Sequence, residues 1–327
     1  MKITNIYRFP AVIILGCLFI FFGRCKKEDP PISSFVSDRN IVVEGDTVFF
    51  SDRSPRNPTS WLWDFGDSGS STSQNPFHIY NTAGTYTVSL TVTNDDGSDS
   101  QSKQDFVTVN PATVTDIDGN VYNTVQIGGQ CWMKENLKVT HYPDGTDIPL
   151  VTDNTEWVNL DDNNIDDAYC YCNNNSGGEA DIYGALYTWA AAMGDNAVSS
   201  NNNPSGVQGA CPDGWHLPSD DEWEELTDFL GGDSIAGGKM KEADTTYWVS
   251  PNTGADNSSG FTALPGSYRS DNSGSFYPLG RVCGFWSATE SDSTIFAKQR
   301  EIWYDFDNIY KFGSKKSTGI SVRCLKD

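Results

Sequence analysis

The chain has 327 residues, with 22 Lys and Arg against 44 Asp and Glu, a net charge of −22, and 13% aromatic side chains. That length allows about two domains behind a leader. The acidity repels phosphate backbones and argues against nucleic acid as a partner. Ten Trp, fourteen Tyr and seventeen Phe supply buriable surface that a disordered acidic chain lacks.

Residues 1–25 read as an export signal. Lys2 and Arg8 make a positive start, Phe9 to Gly23 is almost wholly apolar, and the run ends at Cys25. This core is shorter than the ~20 residues a membrane-spanning helix needs. A thiol directly after such a core predicts a lipoprotein acylated on Cys25. The string CKKED at Cys25–Asp29 resembles the start of mature lipoproteins in Bacteroidetes-type bacteria, which implies surface display. Arg24 departs from that pattern, which has a small residue there. Cys17, after Gly16, is the rival acceptor, but choosing it leaves Leu18–Phe22 as an apolar run on the mature chain. An uncleaved membrane anchor is the remaining alternative. In each case the body lies outside the cytoplasm, and the expected place is the outer membrane, facing outward. Acyl burial at roughly 0.8 kcal/mol per methylene makes a multi-chain anchor stable.

Lys26 to Ser34 (KKEDPPISS, residues 26–34) has the charge and proline of a tether. A first domain is expected over residues 33–110, with strands near 41–44, 47–52, 59–65, 76–80, 84–94 and 102–109. Tyr86, Val88, Leu90 and Val92 alternate as a half-buried antiparallel strand requires. WDFGDS at Trp63–Ser68 resembles the WDFGDG hallmark of the PKD domain, with Ser68 in place of the last glycine. The resemblance implies an immunoglobulin-like all-β sandwich that serves outside the cell as a spacer or adhesion module. Asn110-Pro111 marks a boundary.

A second domain spans residues 112–327. A hairpin is expected over 114–128, turning at Asp118-Gly119. Tyr183, Leu186, Trp189, Ala190 and Met193 have helical spacing within 181–195, with Gly194 as the stop. A helix is clearest within 216–232, where Ser219 and Glu222 form a capping box and Trp223, Leu226 and Leu230 a buried stripe. Short strands follow near 260–265, 283–288, 294–297, 300–305 and 319–324. Helices followed by strands predict an α+β domain.

The separated strings DIDGNVYNTVQIGGQCWMKENL, YGALYTW, CPDGWHLPSDDEWEEL, GFTALPGSYR, FWSAT and SVRC look like the Fibrobacter succinogenes major paralogous domain. That domain is similar in pattern to the C-type-lectin-like and formylglycine-generating-enzyme-like folds. The family is exported and has no common activity, so the resemblance implies location and fold, not chemistry.

Cys131, Cys170, Cys172, Cys211, Cys283 and Cys324 all fall in the second domain. An even set in an exported chain reads as disulfides. The lectin-like resemblance implies the pair Cys211–Cys324. Cys131 and Cys283 are then candidates to bond Cys170 or Cys172, which are not expected to bond each other. No C-x₂-C spacing suggests zinc.

No catalytic constellation is visible. His78, His141 and His216 lack ligand-spaced partners, no G-x-S-x-G elbow marks a nucleophile, and no cysteine matches the reactive ones of formylglycine-generating enzymes. No cofactor is expected, with calcium the one open possibility. Asp161, Asp162, Asn164, Asp166 and Asp167 crowd one loop with hard oxygen ligands, although LDDNNIDDAY lacks the glycine and terminal glutamate of an EF-hand and reads first as a solvated acidic loop. WYDFDN (303–308) sits where sugar-binding C-type lectins place WND, but no EPN or QPD string accompanies it. Trp157, Trp248, Trp303, Tyr247, Tyr268 and Tyr277 lie in polar, Gly- and Ser-rich surroundings and are the aromatics expected to face a partner. The reading is a non-catalytic, membrane-anchored surface lipoprotein, its spacer presenting a lectin-like domain to polysaccharide or protein. An extracellular enzyme or accessory subunit of a polysaccharide-degrading system is the alternative.

Overall fold

The computed structural model describes residues 29–194 and 198–327. Cys17 and the lipidation candidate Cys25 lie outside these residues.

The first unit contains β1 (Phe35–Ser37), β2 (Ile41–Val43), β3 (Thr47–Asp52), β4 (Ser60–Asp64), β5 (Ser70–Ser71), β6 (Phe77–Ile79), β7 (Gly84–Asn94) and β8 (Gly97–Asn110). They form two sheets, β1-β3-β6 and β2-β8-β7-β4-β5. Alternate side chains, among them Phe50, Trp63, Val88, Leu90 and Val107, fill the space between them. The WDFGDS turn is held by its own carboxylates. Asp64 accepts the Gly66 N–H at 2.9 Å, and Asp67 accepts the Gly69 N–H at 2.9 Å and meets His78 Nε2 at 2.8 Å. Gly66 has φ 86°, and a Cβ there would lie 2.5 Å from the Thr87 carbonyl, so no other residue fits. Ser68 takes φ 73° where the hallmark has glycine. His78 stacks on Phe65 with centroids 4.2 Å apart, a packing role.

The second unit contains β9 (Thr113–Thr115), β10 (Val121–Ile127), β11 (Gln130–Met133), α1 (Asn154–Val158), β12 (Tyr169–Tyr171), α2 (Gly178–Tyr183), β13 (Ala185–Tyr187), α3 (Trp189–Met193) and β14 (Trp215–His216). After these come α4 (Asp220–Phe229), α5 (Asp233–Met240), β15 (Val282–Glu290), β16 (Phe296–Trp303), β17 (Ile309–Lys315) and β18 (Leu325–Lys326). The unit is β-rich with short helices. Its sheets are β14-β18-β11-β10-β9, the pair β12-β13, and β15-β16-β17.

Several expectations are corrected. The helix expected over 181–195 is two short helices separated by β13, because Gly184 turns with φ 73° and Tyr187 pairs with Ile320. Residues 183–193 are all buried, so their helical spacing marks no solvent-facing stripe. The segment 260–265 is no strand; Ala263 makes only an isolated bridge to Lys241. The runs 294–297 and 300–305 belong to one strand, β16, and β17 was not anticipated. The segment 319–324 is no continuous strand; Gly319, Ile320 and Ser321 make isolated bridges to Arg269, Tyr187 and Phe285 before β18. Within 216–232 the capping box forms as spaced, with Ser219 Oγ accepting the Glu222 N–H at 3.1 Å and Glu222 accepting the Ser219 N–H at 2.9 Å.

The two units meet at a hydrogen-bonded joint. Glu44 accepts the Ala112 N–H at 3.0 Å, Asn110 Nδ2 donates to Gln126 Oε1 at 2.8 Å, and Val43 packs into the core of the second unit.

One disulfide joins Cys211 to Cys324 across a separation of 113 residues. Cys131, Cys170, Cys172 and Cys283 are free and buried, which corrects the reading of all six as disulfide-bonded. Cys131, Cys283 and Cys170 sit in three different parts of the core. Burial pushes the Cys131 thiol up to about 11 and the other three to about 12, so little reactive thiolate forms at neutral pH. Native protein is therefore expected to resist iodoacetamide at these four positions, with all four alkylated in denaturant. Peptide mass spectrometry reads this directly, and labelling of folded protein contradicts it.

Candidate functional site

The sheet β15-β16-β17 has two unlike faces. On one, Ile302 pairs with Ile309 beneath α4 and α5, and Arg300 and Lys298 both contact Asp220 at the start of α4. On the other, the period-two pleat aligns Gln299, Glu301 and Trp303 on β16 with Phe312 and Tyr310 on β17. Gly284 of β15 lies opposite Glu301; a Cβ there would come within 3.0 Å of Gln299 Oε1, so its glycine makes room for this polar row.

That second face opens into a cleft of about 460 Å³ whose lining includes Tyr277, Trp303, Tyr304, Phe306, Tyr310 and Phe312. Tyr277 meets Trp303 edge-on at 5.6 Å and stacks on Tyr268 at 5.2 Å. Phe306 and Phe312 are 47% and 43% exposed and stand side by side with the other rings of the cleft lining. The polar groups are Arg281, Glu301 and Asp305. Arg281 lies 5.4 Å from the Tyr304 ring centre. Glu301 is only 6% exposed; its oxygens accept the Trp303 indole N–H at 2.9 Å and the Gln299 amide at 3.2 Å. Burial raises its carboxyl to about 7, opposed by those two hydrogen bonds.

The loop 303–306 is pinned from beneath. Lys241 is fully buried and donates to the carbonyls of Thr253 (2.7 Å), Trp303 (3.1 Å) and Phe306 (2.7 Å). Desolvation lowers its ammonium to about 8. A second hollow of about 230 Å³, beside the disulfide, has no aromatic side chain in its lining.

Of the six aromatics expected at the surface, Tyr277 and Trp303 line this cleft, and Tyr268 is stacked on Tyr277 outside the lining. Tyr247 sits elsewhere, edge-on to Tyr183 at 6.1 Å. Trp157 and Trp248 are 0% and 1% exposed, which corrects their reading as contact residues. Trp157 lies under the Arg269 guanidinium at 4.4 Å, and Trp248 donates its indole N–H to the Ala263 carbonyl at 3.0 Å. In both places a single large ring anchors a polar segment, the short helix α1 or the loop at Trp248, to the core. Glu301, Tyr310 and Phe312 were missed; their signal was the alternation E-I-W on β16 and Y-K-F on β17, while Tyr304 and Phe306 lie on the turn within the WYDFDN string.

The acidic loop does not converge. Asp162 binds Ser317 Oγ (2.7 Å) and Lys315 (3.2 Å), Asn164 takes Lys316 Nζ (2.5 Å), Asp166 accepts the Asp161 N–H (2.8 Å), and Asp167 accepts Tyr142 (2.9 Å). Among the described residues no group of three or more His, Cys, Asp or Glu side chains is placed to hold a metal.

His216 bridges two elements: Nε2 meets Glu222 at 2.8 Å and Nδ1 meets Asp327 at 2.7 Å. Burial alone lowers its pKa, but hydrogen bonds and charge from Glu222 and Asp327 outweigh it, and the net shift is upward. Folding thus favours the protonated ring. Its stabilisation is complete below the unfolded value of about 6.5 and is lost as pH rises through the folded value. The melting temperature of the parent, measured against His216→Gln across this range, is expected to lose its advantage above about pH 6.5; a constant difference contradicts the shift.

A family model of the Fibrobacter succinogenes major domain matches residues 125–326, and one of the PKD domain matches residues 28–109. Collagenase ColQ1 of Bacillus cereus (strain Q1) is 44% identical over 107 residues, covering 31% of this chain and 11% of its own length. A microbial collagenase of Vibrio alginolyticus is 42% identical over 57 residues, covering 16% of this chain and 7% of its own. The chain thus spans about a tenth or less of these curated relatives, and the collagenase matches fall on the PKD part. Among solved structures, the PKD1 domain of the Vibrio cholerae metalloprotease PrtV is 37% identical, with 24% of this chain and 96% of that one covered and a TM-score of 0.21. A structure of carbohydrate-binding modules from the β-sandwich superfamily is 26% identical, covering 32% of this chain and 43% of that one, with a TM-score of 0.25.

Proposed function

The chain belongs to the Fibrobacter succinogenes major domain family and carries a PKD domain ahead of that unit, and on this premise we propose that it is a non-catalytic binding protein of the cell surface. In this reading acylated Cys25 holds the chain to the outer membrane, and the PKD sandwich is the spacer. The second domain, taken as C-type-lectin-like, presents its aromatic cleft to polysaccharide.

The observation that carries the reading is the cleft itself. Six aromatic rings line a cleft of about 460 Å³ and surround a few polar groups. Flat rings beside hydrogen-bonding groups suit the apolar faces and hydroxyl rims of sugar rings. The leader, the PKD module and the joint between the units support presentation away from a membrane.

The test is affinity electrophoresis and calorimetry of the mature chain on a glycan panel. At least one polysaccharide should be retained, and Trp303→Ala or Tyr277→Ala should weaken retention roughly tenfold or more, as loss of a central aromatic contact does. Retention of no glycan overturns the reading.

One observation favours the enzymatic alternative: two carboxyl groups, Glu301 and Asp305, share the cleft. A glycosidase would use one as acid and the other as base or nucleophile. Release of new reducing ends from a bound oligosaccharide, abolished by Glu301→Gln, would establish it over the binding reading.

A further inference from the structure

We propose that the cleft takes an uncharged pyranose chain, and that Glu301 is the group that sets its specificity by accepting sugar hydroxyl hydrogens. This rests on the binding reading above and deepens it.

Glu301 is the polar group built into the aromatic cleft from beneath. The indole of Trp303 holds one oxygen and the amide of Gln299 the other, so both are fixed in place by neutral donors. Each oxygen has a further lone pair. No Lys, Arg or His lies within ion-pair distance of Glu301 among the described residues. Gln299 is itself held, donating to Ser314 Oγ at 2.7 Å, so the row is rigid. A desolvated carboxylate with unused acceptors and no cation matches ligand O–H donors, and neighbouring hydroxyls on a pyranose ring supply two at once.

Charge excludes the acidic alternative. Glu301 shares the cleft with Asp305, of which one oxygen is buried without a hydrogen-bond partner. Once Glu301 is ionised, a uronate would add a third negative charge there, on a chain of net charge −22. Arg281 is the one cation in the lining, and it sits at the exposed rim over Tyr304.

Hydroxyl donors favour the ionised carboxylate, so affinity should rise as Glu301 loses its proton near pH 7. The titratable and charged groups around it are Tyr268 and Tyr277 on the preceding loop, Arg281 and Cys283 at β15, Asp305 on the turn and Tyr310 on β17. Cys283 and Tyr268 are both shifted upward by burial, away from this range.

The experiment is isothermal calorimetry of the full mature chain with cellohexaose, laminarihexaose, xylohexaose, mannohexaose and polygalacturonate. At least one neutral oligosaccharide should bind, with affinity about tenfold higher at about pH 8.5 than at about pH 5.5. Glu301→Gln, checked for folding by its melting curve, should bind more weakly and lose the pH step. Neutral oligosaccharide binding that needs Trp303 yet is the same in Glu301→Gln, with the pH step intact, overturns the role of Glu301 and leaves the binding reading standing. Preference for polygalacturonate overturns the ligand class. Binding of none of the five overturns both this inference and the reading beneath it.

Discussion

Replacing Cys211 and Cys324 together by alanine is expected to lower the unfolding free energy of the second domain by about 5 kcal/mol. The bond closes 113 residues of chain, and tethering so long a loop removes much of the entropy of the unfolded state. It also ties two poorly regular segments together. Cys211 precedes the two-residue strand β14, and Cys324 precedes the two-residue strand β18, and those strands pair with each other. Both sulfurs lie in the main core beside Trp215, Leu217 and Val322. Ordinary domains have only about 5–15 kcal/mol of stability, so the variant should sit near the threshold of folding. Urea denaturation of the parent and the double variant checks this. A midpoint shift worth under about 1 kcal/mol would show that the unfolded loop is already confined.

Replacing Arg323 by leucine is expected to cost about 3–5 kcal/mol. The side chain is 1% exposed, yet it has no carboxylate partner within ion-pair distance among the described residues. Its guanidinium donates to the carbonyls of Met133 (3.1 Å) and Phe261 (2.7 Å) and to Asn136 Oδ1 (2.7 Å), and stacks 4.4 Å from the Phe261 ring. Burial pushes its pKa down to about 10, so it stays charged at neutral pH. Leucine restores apolar volume but leaves three buried acceptors without donors, and each such orphan costs about 1–3 kcal/mol. Arg323→Lys should recover only part of the loss, because an ammonium cannot span the same fork of acceptors. Thermal melts of both variants decide it; equal stability of leucine and parent would mean that the loops around Phe261 and Met133 re-pair without the arginine.

Arg269 works the same way elsewhere. It is fully buried and donates to the carbonyls of Val151, Thr152 and Gly274 and to Asn154 Oδ1. Neither arginine was singled out from the sequence, because arginine is mostly a surface residue. The second unit spends long stretches in irregular chain whose carbonyls need donors, and a buried guanidinium supplies several from one point. Trp157 and Trp248 serve a related end: a single-turn helix and an irregular loop are each fastened by one large ring driven into the core.

The sandwich was legible because its signals are local. Alternation from Tyr86 to Val92 places β7 with its observed ends, and the turn after Trp63 is made by carboxylates two residues from the amides they hold. The capping box of α4 was legible for the same reason, since Ser219 and Glu222 interact within three residues. The helix expected at 181–195 failed because spacing alone cannot tell a one-sided stripe from a segment buried on all sides. Four cysteines counted as disulfide partners are free, since pairing depends on distance in the fold and not on an even count.

From the chain alone came the order of two units, most of the sandwich strands, the capped helix and the acidity, all properties of composition or of neighbours within a few residues. The cleft was decided only when β16 paired with β17 in a register that sets Glu301 opposite Tyr310, and when Lys241, distant in sequence, drew the 303–306 turn against the sheet. Strand register and buried long-range hydrogen bonds are choices among alternatives that a linear pattern leaves equal in energy, and packing breaks that tie.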